Sequence, residues 1–227
     1  MLLFHLLNLL LNNPVQFVIT IVILIVPLFI SIAFHEWAHG YVAYKFGDPT
    51  PKLQGRLTLN PFAHLDPIGT LMLFIIGIGW AKPIMLDPSY YPNKTKQMVV
   101  ALAGPASNFL LAIIFGLILV FLQLKNPGEN SEIFKTLVTP MNIIIRINLI
   151  LAIFNMIPIP PLDGSKVLAW MMPERLEYQY LALEPYGFML LLLILFTGGF
   201  SFIITAVDFI QLRLLDVIKN FIVNNFL

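Results

Sequence analysis

The stretch VQFVITIVILIVPLFISIAF (Val15–Phe34) runs on without a break into HEWAHGYVAYKF (His35–Phe46), and its reading decides the fold. Its first part carries no charged residue. A bilayer's hydrocarbon core demands about 20 mostly apolar helical residues, so Val15–Phe34 reads as a membrane-spanning helix. Pro27 lies inside it, removes one backbone donor and is expected to kink the helix there. Gly47-Asp48-Pro49 supplies the stop. The run is longer than a secretory signal core and ends in polar residues, so it reads as a retained span.

Composition agrees. Of 227 residues, 59% are hydrophobic and 11% charged, against about 25% charged in soluble domains. Mean hydropathy is +0.87. A net charge of +1 and the lack of a polybasic run exclude nucleic acid as a partner and leave the lipid bilayer as the surroundings. No cysteine is present, so disulfides, thiolate metal sites and a cysteine nucleophile are excluded.

Further long apolar segments run over Met98–Leu124, from Met141 to about Pro158, and from Gly187 to about Val207. Met1–Leu11 is too short to span and reads as interfacial. Ile68–Trp80 is also short. It is punctuated by Pro67, Gly69, Gly77 and Gly79 and reads as a re-entrant segment. After Asp208 the pattern turns amphipathic, as an interfacial helix or the end of a broken last span. The expectation is an all-α polytopic membrane protein of roughly four to six transmembrane helices, with a re-entrant or β-like segment over residues 52–93. Lys45, Lys52, Arg56, Lys82, Lys94 and Lys96 all fall between the first span and the Met98 helix, which makes that loop cytoplasmic. His35 and His39 then sit towards the cytoplasmic end of their span, and the Met141 helix returns the chain to the same side.

His35-Glu36-Trp37-Ala38-His39 is an H-E-x-x-H pattern. Residues i and i+4 share a helix face, so both imidazoles can reach one ion, and zinc suits such a pair. Glu36 adjoins the first histidine and can take a proton from water on the metal without ligating it. A catalytic zinc needs a third protein ligand. His5 lies outside the span pattern, and His64 shares a loop with Asp66. Asp163 is better placed: it follows a long apolar run in Asn155-Met156-Ile157-Pro158-Ile159-Pro160-Pro161-Leu162-Asp163-Gly164, where three prolines break the helix. Asn108 is a candidate to hold substrate or stabilise an oxyanion, or else a structural link between helices. Asn148 and Asn155 read as structural or as orienting the Asp163 turn. Arg146 reads as snorkelling towards the outer face. Trp80–Asp87 is compatible with an edge strand for an extended substrate.

With these pieces in place, the chain resembles the site-2 protease family of intramembrane zinc metalloproteases. H-E-x-x-H near the end of the first span and the later N-x-x-P…L-D-G carry the likeness, with Gly104-Pro105-Ala106-Ser107-Asn108 as the family's G-P-x-x-N segment. Arg56-Leu57-Thr58-Leu59-Asn60-Pro61, His64-Leu65-Asp66-Pro67 and Gly79-Trp80-Ala81-Lys82-Pro83 resemble a compact bacterial subgroup. The match spans about residues 15–170. The resemblance implies one zinc per chain on His35, His39 and Asp163, with Glu36 as catalytic base. It also implies hydrolysis of peptide bonds in or near transmembrane segments of protein substrates. By it residues 1–227 form a single membrane-embedded metalloprotease domain, core motifs in 15–170 and C-terminal helices in 171–227, with no segment left for a PDZ or regulatory domain. The expected location is a bacterial cell membrane, with the active site towards the cytoplasm. One motif departs: Ser165 follows Asp163-Gly164 where many relatives have a second glycine. The alternatives are a metal-ion transporter, for which the expected repeats are missing, and a non-catalytic membrane-binding relative.

Overall fold

The computed structural model describes residues 2–76, 79–126 and 131–226. Ten α-helices follow one another among them: α1 (Leu2–Asn12), α2 (Pro14–Lys45), α3 (Thr50–Leu53), α4 (Pro67–Ile76), α5 (Lys94–Lys125), α6 (Glu132–Asn155), α7 (Asp163–Trp170), α8 (Glu174–Leu181), α9 (Glu184–Phe196) and α10 (Gly199–Phe226). No strand occurs among the described residues; the one extended pairing is an antiparallel bridge between Leu65 and Ala81.

Helix α2 starts where its sequence says it should. Asn13 caps it by accepting from the Gln16 amide, and Pro14 takes the first turn, where a missing N–H costs nothing. It continues through Pro27 as one 32-residue helix, about 48 Å at 1.5 Å per residue and longer than a hydrocarbon core of about 30 Å. Gly47, at φ 109°, turns the chain away just after it. Helix α5 is equally long and begins at Lys94, four residues before the apolar run, because Asn93 accepts from the Thr95 and Lys96 amides. Ser131 likewise caps α6 and draws the amphipathic turn Glu132–Thr139 into the helix, nine residues ahead of the apolar run. Periodicity of apolar residues reports the span; capping side chains set the true end.

The helices α2 and α5 and the stretch Phe134–Asn155 of α6 are each long and apolar enough to cross a membrane. The pair α8 and α9, bent by 63° between them, makes a fourth crossing if taken as one broken span. The protein is thus an all-α, multi-pass membrane protein. The apolar run expected from Gly187 to Val207 divides in two: α9 ends at Phe196, and Gly198, at φ 82°, breaks the path before α10. Helix α10 runs from Gly199 through Asp208 to Phe226, so the amphipathic tail continues the same helix. Arg146 of α6 pairs with the Asp208 carboxylate at 2.9 Å, so Arg146 does not need to snorkel to a membrane face.

Ala112 and Leu119 of α5, Ile145 and Leu149 of α6 and Val207 of α10 form the main buried core. Helix α1 packs against α2 and α4. The segment around α4 leaves and returns at one place: Leu65 bridges Ala81, and the Lys82 amide donates to the His64 carbonyl at 2.9 Å. Gly69 and Gly79 make this return possible, since a Cβ on Gly69 would strike the Trp80 carbonyl and one on Gly79 would strike the Gly69 carbonyl. That geometry suits the re-entrant reading of Ile68–Trp80; Gly77 lies outside the described residues.

Candidate metal centre

His35 and His39 lie one turn apart on α2 and are both buried. Asp163 opens α7, just after the proline-broken turn, and is 6% exposed. One oxygen, Oδ2, stands 3.1 Å from His35 Nε2 and 3.0 Å from His39 Nε2, and the two Nε2 atoms are 3.1 Å apart. The opposite ring nitrogens are held by protein acceptors. His35 Nδ1–H donates to Asn108 Oδ1 at 2.6 Å, and His39 Nδ1–H donates to the Val100 carbonyl at 2.7 Å. With the protons on Nδ1, both Nε2 atoms turn lone pairs towards a carboxylate oxygen. Three lone-pair atoms that close repel unless a cation lies among them. A tetrahedral zinc with bonds of about 2.0–2.1 Å has ligand-to-ligand edges of about 3.3 Å, near the separations found here. The three side chains can hold a metal ion.

Helix α5 passes closest to this cluster at Gly104, where an added Cβ would run into both imidazoles, 2.6 Å from His35 Nε2. Gly164 has a similar duty on the other side, because a Cβ there would meet the Met156 carbonyl and push α7 off the turn. Ser165, at the position of sequence departure, donates to the Leu162 carbonyl and fits without strain. Lys166, one turn after Asp163, places its ammonium 3.4 Å from the other carboxylate oxygen, Oδ1.

Glu36 is partly buried beside the cluster. Its Oε2 accepts from the Ile84 amide at 3.0 Å. Ile84 belongs to the extended segment after Ala81, which is pinned at its far end by the Asp87 amide donating to Asp48. Gly40, one turn beyond Glu36, gives the Ile84 side chain its seat on α2.

Asn108 is fully buried and points at the back of His35, away from Asp163. Its amide donates to the Ser31 carbonyl at 3.1 Å and to Asn148 Oδ1 at 2.9 Å. Both of its N–H groups are engaged in this arrangement, and its Oδ1 faces the imidazole of His35. Asn155 donates to the Leu151 carbonyl of its own helix, not to the Asp163 turn. His64 stays apart from the metal cluster. It is buried, with Nε2 on the Thr58 carbonyl at 2.8 Å, while Asp66 caps α4 through the Gly69 amide. The His5 side chain lies outside the described residues. Sequence reasoning missed the Val100 carbonyl, which no residue identity reveals, and the spacer role of Gly104, which a glycine-proline pair inside an apolar helix could have signalled.

Residues 23–196 match the model of peptidase family M50. The protein named "Putative zinc metalloprotease YwhC" of Bacillus subtilis (strain 168) is 40% identical over 183 residues, 80% of this chain and 83% of that protein. Proteins named "Putative zinc metalloprotease Rip2" are also similar. The one from Mycolicibacterium smegmatis is 26% identical over 83% of this chain and 72% of its own length. The one from Mycobacterium tuberculosis (strain Erdman) is 29% identical over 69% of this chain and 60% of its own length. No solved structure matches.

Proposed function

The chain belongs to peptidase family M50, the site-2 protease family, and from that premise we propose that it is an intramembrane zinc endopeptidase acting on transmembrane segments of other membrane proteins. We assign one zinc to His35, His39 and Asp163, and the general base to Glu36. The observation that carries this reading is the convergence of three lone-pair atoms within 3.1 Å, with a carboxylate on the adjoining residue.

A zinc ion bound there supplies Lewis acidity, lowering the pKa of water to about 7 and polarising the scissile carbonyl. The protein does the rest. The Nδ1 bonds to Asn108 and Val100 aim both imidazoles. The Ile84 amide holds Glu36 by Oε2, so that Oε1 can receive the proton of the attacking water. Oxygen adds to the carbonyl carbon, the C–N bond breaks, and Glu36 returns the proton to the departing nitrogen. A helical substrate must first unwind, and we place the unwound stretch alongside residues 80–87, where Lys82, Pro83 and Met85 are exposed. Lys45, Lys52, Arg56, Lys82, Lys94 and Lys96 run from the end of α2 to the start of α5, so we place the site towards the cytoplasm of a bacterial cell.

The test is cleavage of a panel of single-span segments by purified protein, wild type beside Glu36→Gln, with bound zinc measured in both. Expected is equal zinc with cleavage reduced by about 10²–10⁴-fold or more in the variant, the usual worth of a general base. Undiminished cleavage by the variant would remove Glu36 from the mechanism, and zinc-free, folded wild type would remove the metal site.

A further inference from the structure

We infer that Asn148 of α6 is a positioning residue for His35, acting through Asn108 to fix which nitrogen of the imidazole carries the proton; the inference rests on the zinc assignment above. The four groups form a chain with one direction. The Ile144 carbonyl can only accept, and Asn148 Nδ2 donates to it at 2.9 Å. That turns Asn148 Oδ1, an acceptor, towards Asn108 at 2.9 Å. Asn108 must therefore present its Nδ2, and the Ser31 carbonyl at 3.1 Å demands the same. Asn108 Oδ1 is left facing His35 Nδ1 at 2.6 Å. Facing an acceptor, Nδ1 carries the hydrogen, and the Nε2 lone pair points at Asp163.

A primary amide has nearly the same shape with oxygen and nitrogen exchanged. Without Asn148, one carbonyl alone would oppose the exchange in Asn108. The exchanged amide would offer N–H to Nδ1, move the imidazole proton to Nε2, and put a hydrogen where a metal must sit. His39 needs no such relay, because its Nδ1 faces the Val100 carbonyl, a group that cannot turn round. Asn148 is fully buried, as is Asn108, so no water competes for either amide.

The test is a double-mutant set read by zinc affinity, measured on the purified full-length chain in detergent against a chromophoric chelator. Asn148→Leu and Asn148→Ala remove the acceptor with different loss of volume, and whichever elutes and melts as wild type is read. Expected is zinc binding weaker by about tenfold, the lower end for supporting partners of a metal ligand. The same substitution is then made in an Asn108→Asp background. A carboxylate has two acceptor oxygens and no orientation to lose, and one of them would oppose Asn148 Oδ1 and the Ser31 carbonyl, so there the loss of Asn148 removes a repulsion and should leave zinc affinity within about twofold or raise it. A role in packing alone would cost the same in both backgrounds, and that result overturns the inference. So does wild-type affinity in the single variant. Wild type that holds no zinc overturns the metal assignment itself, and is told apart because it appears before any substitution is made.

Discussion

A single hydrogen atom at position 104 decides whether the two histidines can share an ion. Gly104 is the nearest approach of α5 to the cluster, and a methyl group there would lie on the histidine nitrogens. Gly104→Ala should therefore weaken zinc binding by about 100-fold, the upper end for contacts that orient a ligand, while the protein still folds. Zinc affinity equal to wild type would show that α5 can move aside. Tyr91 makes a different residue-scale case, outside the spans. Burial pushes its hydroxyl up to about 12, with the carboxylates of Asp48 and Asp87 adding to the shift. The unfolded value is about 10, so the folded state holds the proton more tightly. The contribution to stability is complete below about pH 10 and is lost as pH rises towards 12. Tyr91→Phe, with no proton to lose, should flatten the fall in melting temperature between pH 10 and 11.5; an unchanged fall would assign it to other groups. Of these residues, the H-E-x-x-H pair and Asp163 are legible in sequence because their chemistry is in the side chain. The Val100 carbonyl and the Ile84 amide are not, because every residue has them and only the fold selects which ones face the site.

Among elements, α10 shows how pairing changes the meaning of a charge. Alone, Asp208 ends an apolar run and marks the turn to an amphipathic pattern. Beside Arg146, near the middle of the span in α6, it becomes half of an ion pair at 2.9 Å and the helix passes through it. Both partners are about half exposed on the outer surface of the bundle. Arg146→Met leaves the Asp208 charge alone, and should lower the melting temperature in detergent by an amount matching at most about 2.5–3.5 kcal/mol, the insertion cost of a lone charge in a span. Asp208→Asn in the same background should recover most of the loss. Additive losses would mean that the pair contributes little beyond packing. The start of α6 carries a related lesson: Ser131 accepts from the Phe134 amide, and this capping side chain, not an apolar one, fixes where the helix begins.

At the scale of the whole molecule, the proposed orientation in the membrane rests on where the basic residues lie. Lys82 is exposed on the segment that reaches Glu36, and the chain has no cysteine of its own. A lone Lys82→Cys should therefore be labelled by a membrane-impermeant thiol reagent in inside-out vesicles and not in intact cells. Labelling in intact cells would invert the protein and with it the side from which water reaches the site. The tertiary frame is simple: α5 runs antiparallel to α2, since His39 meets Val100 while Ser31 meets Asn108, and α7 brings Asp163 back onto the same end.

The sequence by itself determined that the chain enters the membrane, that it is helical, and which residues could carry metal chemistry. Those conclusions rest on hydrophobic length and side-chain identity, which are local properties. Only the tertiary structure decided that Asn108 faces the His35 imidazole, that Arg146 finds Asp208, and that Gly104 is the clearance between two helices. Each of these depends on what lies across a gap from a residue, and a linear pattern does not encode the far side of a gap.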